Sequence, residues 1–201
     1  MIMLVMVCYL FALLVNAHDD STHPPTQPHV PSTAEWNNRV KMLTSAQFVH
    51  QIQVNELNRD LTIIGNIIRK EQRELDHLIV LADNSPSNHR VDALLKAVEE
   101  QIKYYSSAVY DIGSLITSLN QDALLIDQSL IQVKSLLKLA TLPHHDIEHR
   151  LEDVDKLLQV GKVSIPNIRR SIVLLQAEFK QHECSVQVWI EELWKLLEPS
   201  Q

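Results

Sequence analysis

Residues of the kinds that carry chemistry are present in this chain, but they are poorly grouped. The best candidate set is His144-His145-x-x-x-His149, in which His145 and His149 stand four apart on one helical face, the spacing of two imidazole ligands. A protein metal site needs a third ligand, and Asp146 and Glu148 point elsewhere on such a helix. Coming just after Pro143, these residues read more simply as the polar opening of a helix. His18, His23 and His29 lie in a Pro/Thr-rich stretch and read as solvated side chains. The sequence has no Gly-rich phosphate loop, no nucleophile elbow and no zinc-type cysteine pair. We therefore expect no metal, no cofactor and no enzymatic activity.

The cysteines raise a different question. Cys8 belongs to an apolar leader, which leaves Cys184 alone in the rest of the chain. A single cysteine in an exported protein points to an intermolecular disulfide or a free thiol; in a reducing compartment it is a small hydrophobe. Cys184 is the candidate for an intermolecular disulfide, since it lies two residues past an apolar-phase position, His182, and so off that stripe.

Composition limits what else the chain can be. It has 201 residues, a net charge of −7, 45% hydrophobic content, 5% aromatic content and 3 glycines. So few aromatics and glycines argue against sandwiches, barrels and doubly wound sheets. Mild acidity, with Arg69-Lys70 and Arg169-Arg170 as the only adjacent basic pairs, argues against a nucleic-acid surface.

The elements that remain are long helices. Over 91–140 an apolar residue occupies every position of a 4-3 spacing: Val91, Leu95, Val98, Ile102, Tyr105, Val109, Ile112, Ile116, Leu119, Ala123, Ile126, Leu130, Val133, Leu137 and Ala140. Roughly seven such heptads predict a coiled coil, because a 3.5-residue repeat keeps one seam toward a partner when helices supercoil. An earlier seam runs through Trp36, Val40, Leu43, Gln47, His50, Val54, Leu57, Leu61, Ile64, Ile68, Glu71, Leu75, Leu78 and Ala82. Gln47, His50 and Glu71 are its polar entries, a kind of residue that fixes register and partner choice at a cost in stability.

A third seam follows Ile147, Leu151, Val154, Leu158, Gly161, Ile165, Ile168, Ile172, Leu175, Phe179, His182, Val186, Trp189, Leu193 and Leu196. Trp194 borders this stripe. Gly161 and Pro166 predict a kink or a short break, with Ser164 as a fresh N-cap if the break is complete. The expected helices span about 33–82, 89–140 and 144–197, with Thr33 capping the first. Turn formers at 83–88 and Pro143 separate them. The predicted fold is all-α: three long heptad-patterned helices over 33–201, forming an extended coiled coil or a three-helix rod. The spacing alone leaves open whether the seams meet within one chain or between chains.

Two segments precede the helices. Residues 1–17 resemble a secretory signal peptide, with an uncharged apolar run over 4–15 and Val15-Asn16-Ala17 as the cleavage site. Residues 18–32, rich in Pro, Thr and His, are expected to be a disordered tether. No membrane contact is expected beyond the leader.

The first helix carries a further pattern. Trp36, Val40, Gln53-Val54-Asn55, Arg59, Leu61, Gly65 and Ile68 resemble, in order and spacing, the opening of the C-terminal coiled-coil domain of the sixty-two-kilodalton, Nsp-type central-channel nucleoporins. The Pro/Thr-rich stretch before Trp36 is similar to the linker preceding that domain. The resemblance implies a structural protein of the nuclear pore complex, packed against two other coiled-coil nucleoporins and acting in nucleocytoplasmic transport. It implies a partner-binding seam of Trp36, Val54, Leu57, Leu61, Ile64 and Ile68 on the first helix and Val98, Ile102, Val109, Ile116 and Leu130 on the second. The chain has no Phe-Gly dipeptide, so it would supply the structural part alone. Read from its leader instead, the chain is a secreted, self-contained three-helix bundle that binds a ligand or receptor.

Overall fold

The structure, a computed structural model, describes residues 30–139 and 141–197. The leader over 1–17 with Cys8, residues 18–29 of the expected tether, and Ala140 lie outside the described residues. The described residues are helical apart from their short connections: α1 is Thr33–Asp83, α2 is His89–Leu136 and α3 is His144–Leu197. At 1.5 Å rise per residue each is about 75 Å long. Each packs against both others. The start of α1, the end of α2 and the start of α3 share one apolar cluster, so α1 and α3 run in the same direction and α2 runs opposite.

Local chemistry explains where the helices stop and start. Ser32, not Thr33, caps α1: its hydroxyl accepts from the Glu35 backbone N–H at 3.3 Å, and the Glu35 carboxylate accepts from the Ser32 N–H at 2.6 Å. This reciprocal pairing satisfies two donors that a helix start leaves open, which Thr33 as cap would not achieve. Asn88 caps α2, its side chain accepting from the Arg90 N–H at 3.0 Å. At its far end α2 stops at Leu136, short of the expected 140. Tighter bonds from Lys138 N–H to Ser135 O and from Leu139 N–H to Leu136 O close the last turn. This 3₁₀-type closure satisfies the late carbonyls within the turn and ends the α-helical ladder, and Pro143 then keeps Leu142 out of helical backbone and supplies no N–H to resume it.

No break interrupts α3, which runs through both Gly161 and Pro166. Ser164 is therefore an interior residue and not a cap. Pro166 and Lys162 both lie on the exposed side, so the carbonyl that Pro166 leaves without a donor is on the water side of the helix.

Past Phe179 the buried face of α3 departs from the expected phase. Val186, Ile190 and Leu193 are buried, whereas His182 and Leu196 are exposed and Trp189 is only half-buried. The inward positions step 175, 179, 183, 186, 190, 193, so two four-residue steps follow one another. Eleven residues then cover three turns, at 3.67 per turn, and the stripe drifts back toward the natural pitch of a straight helix. Trp194, next to Leu193, lies against the His77 ring of α1 with centroids 5.3 Å apart.

Candidate functional site

All three polar entries of the α1 seam are buried: Gln47 and His50 are 4% exposed and Glu71 is 3% exposed. They form two polar layers in an otherwise apolar interior. These layers are where the chain departs from simple core packing, and they are its candidate functional site.

The first layer is built from Gln47 and His50. Gln47 Nε2 donates to the backbone carbonyl of Ala123 at 3.0 Å, reaching α2 at a seam position whose side chain is only a methyl. His50 lies against Gly161 of α3, and a Cβ on that glycine would overlap the imidazole ring. The ring thus fills the space that any other residue at 161 would occupy. Gln47 Oε1 and His50 Nε2 have no hydrogen-bond partner among the described residues. This layer divides the core in two. On one side lie Trp36, Leu43, Leu130, Val133, Leu151 and Leu158; on the other the apolar cluster runs from Val54 to Leu193.

The second layer surrounds Glu71, between Ile68 and Leu75. Burial raises its carboxyl from the ordinary 4.5 to about 7, with Glu183 and Glu74 pushing the same way and Lys70 opposing them. Tyr105 of α2 stands beside it, 2% exposed, edge-on to Phe179 at 5.1 Å, its hydroxyl donating to the Glu178 backbone carbonyl at 3.3 Å. Burial, then Glu178, pushes the Tyr105 phenol up to about 12.

The predicted partner seam is largely occupied within the chain. Trp36, Val54, Leu57, Leu61, Ile64 and Ile68 are buried on α1, and Val98, Ile102, Ile116 and Leu130 are buried on α2. Val109 is half-buried, with its Cγ1 over Gly65 of α1. Trp36 Nε1 also donates to His144 Nδ1 at 3.2 Å, tying the start of α1 to the start of α3. Of the candidate metal pair, His149 faces Asp153 at 3.2 Å on the outer surface and His145 is exposed. Among the described residues no three His, Cys, Asp or Glu side chains converge on a common point. Cys184 is a free, exposed thiol. No described helix is long and apolar enough to cross a membrane.

Ion pairs lie around the outside. Arg39–Asp155 at 2.7 Å and Arg169–Glu56 at 2.9 Å join α1 to α3, and Arg90–Glu192 joins α2 to α3. Such exposed pairs contribute about 0–1 kcal/mol each and serve orientation more than stability. Comparison with protein-family models, with curated proteins and with solved structures finds no match to this chain.

Sequence reasoning missed two members of these layers. Gly161 reads as a possible kink until His50 is seen against it, and Glu183 becomes an inward position only when the phase of α3 is known.

Proposed function

We propose that this chain is a self-contained three-helix coiled-coil module that acts by binding a ligand or receptor, without catalysis. One observation carries the reading: two of the three polar seam residues of α1, Gln47 and His50, meet small residues of α2 and α3 inside the same chain. Gln47 bonds to Ala123 and His50 fits Gly161, so the seam is not left waiting for other chains. A seam meant for different partners would keep such residues for the partner's matching groups.

Recognition would then use the outer faces. Met42, Val49 and Ile63 recur at heptad spacing on the exposed side of α1, and Tyr110, Leu124 and Ile131 do so on α2. Apolar residues in such rows provide contact area without opening the core. In this reading the apolar leader directs export and Cys184 is free to pair between two chains.

A second reading rests on the order and spacing of Trp36, Val40, Gln53-Val54-Asn55, Arg59, Leu61, Gly65 and Ile68: a structural, nucleoporin-like subunit of the nuclear pore. It requires α1 and α2 to exchange their internal contacts for two partner chains. Two measurements on the full chain separate the readings. Purified protein that is monomeric under reducing conditions, melting in one concentration-independent transition, together with secretion of a C-terminally tagged form into the medium, supports the first. Aggregation in the absence of partners, together with a tag at the nuclear rim, replaces it with the second.

A further inference from the structure

Glu71 is a buried acid in a place where only the exposed Lys70 favours its charged form. One carboxylate oxygen, Oε1, has no hydrogen-bond partner among the described residues, and the side chain lies between apolar turns of α1. The groups facing it come from all three helices. On α2 Tyr105 is adjacent with Tyr104 beside it, but the Tyr105 hydroxyl is already committed to the Glu178 carbonyl. On α3 the facing group is Glu183, while the exposed Glu178 acts on Tyr105 instead, and His182 is exposed and 6.2 Å from the Tyr105 ring. On α1 itself Glu74 lies nearby, and the solvent-exposed Lys70 is 3.9 Å from the Glu74 carboxylate. The layer therefore offers Glu71 acids and aromatic rings, and its nearest cation is shared with another carboxylate. It also coincides with the stretch of α3 where the inward phase shifts, between Phe179 and Val186.

We propose that Glu71 is a proton-operated catch: protonated, it lets the three helices close over the 68–75 layer, and on losing its proton it loosens that layer against Tyr105 and Glu183. A carboxylate left in such a site must recruit water or move outward, because an unpaired buried charge is far costlier than a neutral acid. The direction of the pH effect follows. The folded carboxyl releases its proton near pH 7, whereas in the unfolded chain it does so near 4.5. Between these values the folded state holds the extra proton, so stability falls as pH rises through the window and levels off above it. This is opposite to the usual salt-bridged carboxylate, which is destabilised by acid.

The test uses the full chain and its Glu71→Gln variant, which keeps the shape of the neutral acid and cannot ionise. For the wild type, the folding equilibrium constant should drop on the order of 50–100-fold between pH 5 and pH 8 from this group. Urea titrations at the two values read it. The glutamine variant should lose that share of the pH dependence and exceed the wild type in stability at pH 8. The same pH dependence in both proteins overturns the proposal. Hydrogen exchange of the wild type alone gives a second reading that requires no variant to fold. After correction for intrinsic rates, protection over 68–75 and 179–186 should fall between pH 5 and pH 8 while protection over 147–158 holds. A uniform change along the chain, or none, overturns it equally.

Discussion

Replacing Gly161 with alanine should have opposite consequences depending on what stands at position 50. In the middle of a helix, alanine is favoured over glycine by about 1 kcal/mol, and α3 is continuous through 161. On that ground alone Gly161→Ala would stabilise the protein. The added methyl, however, falls within the imidazole of His50, which is 4% exposed and enclosed by the neighbouring helices. Forcing an extra methyl into a filled core typically costs about 1–3 kcal/mol, and overlap with a ring of restricted movement belongs at the upper end. The expected net effect is a loss of about 1–2 kcal/mol. With His50→Ala the ring is gone, so the methyl meets open space and the helix-propensity gain of about 1 kcal/mol returns. The coupling between the two substitutions is then about 2–3 kcal/mol, in the upper part of the range for residues in contact. Urea unfolding of the full chain, followed by far-ultraviolet circular dichroism for the wild type, both single variants and the double variant, measures it. His50→Ala alone is expected to destabilise through the cavity it leaves, but that loss cancels within the cycle. If Gly161→Ala shifts stability equally in both backgrounds, the imidazole does not occupy the space in question and the register built on it is wrong.

Four further outcomes are expected. Leu130→Ala, at a 2% exposed position, should cost about 2–5 kcal/mol, whereas Gln132→Ala on the outer surface should stay within about 0.5 kcal/mol; thermal melts compare them. The phase shift in α3 predicts that Ile190→Ala is similarly damaging and His182→Ala nearly neutral, and the reverse order would restore an uninterrupted heptad pattern. Ser32→Ala removes the cap of α1 and should lower stability by about 0.5–2 kcal/mol in urea titration. Because Cys184 is exposed, a maleimide should label native protein about as fast as urea-unfolded protein under reducing conditions, and strong native protection would contradict the observed exposure.

The helical class was legible because the chain repeats one signal many times. On α1 the buried positions follow the 4-3 spacing even where the residue is polar, at Gln47, His50 and Glu71. Spacing fails where the fold changes period. A fixed 4-3 count carries past Phe179 onto His182, Trp189 and Leu196, but the buried side is the one holding Ile190 and Leu193. Ile190 and Leu197 stand four residues beyond Val186 and Leu193, so a count allowing one eleven-residue step would have found that side. The end of α2 falls short of the apolar spacing for a simpler reason: Leu137 continues the side-chain pattern, but the backbone has already tightened into i→i−3 bonds at Lys138 and Leu139, which side-chain spacing does not report.

The polar layers were half legible, and the missing half lies on other helices. A one-dimensional pattern marks Gln47 and His50 as unusual seam residues but cannot say what faces them. What faces them is the smallest residue of each partner helix's seam: Ala123 on α2 and Gly161 on α3. That pairing does more than accommodate bulk. Sliding α2 along α1 by one heptad would set Gln47 against Ile116 or Leu130, and the same slip of α3 would set His50 against Val154 or Ile168. Each alternative brings a branched side chain onto a buried polar group and removes either the Ala123 bond or the space over Gly161. The repetitive apolar positions on either side would tolerate such a slip, since one Leu or Ile replaces another. Register along these three helices is therefore held by the two small residues and the two polar ones, while the apolar seam supplies the driving force.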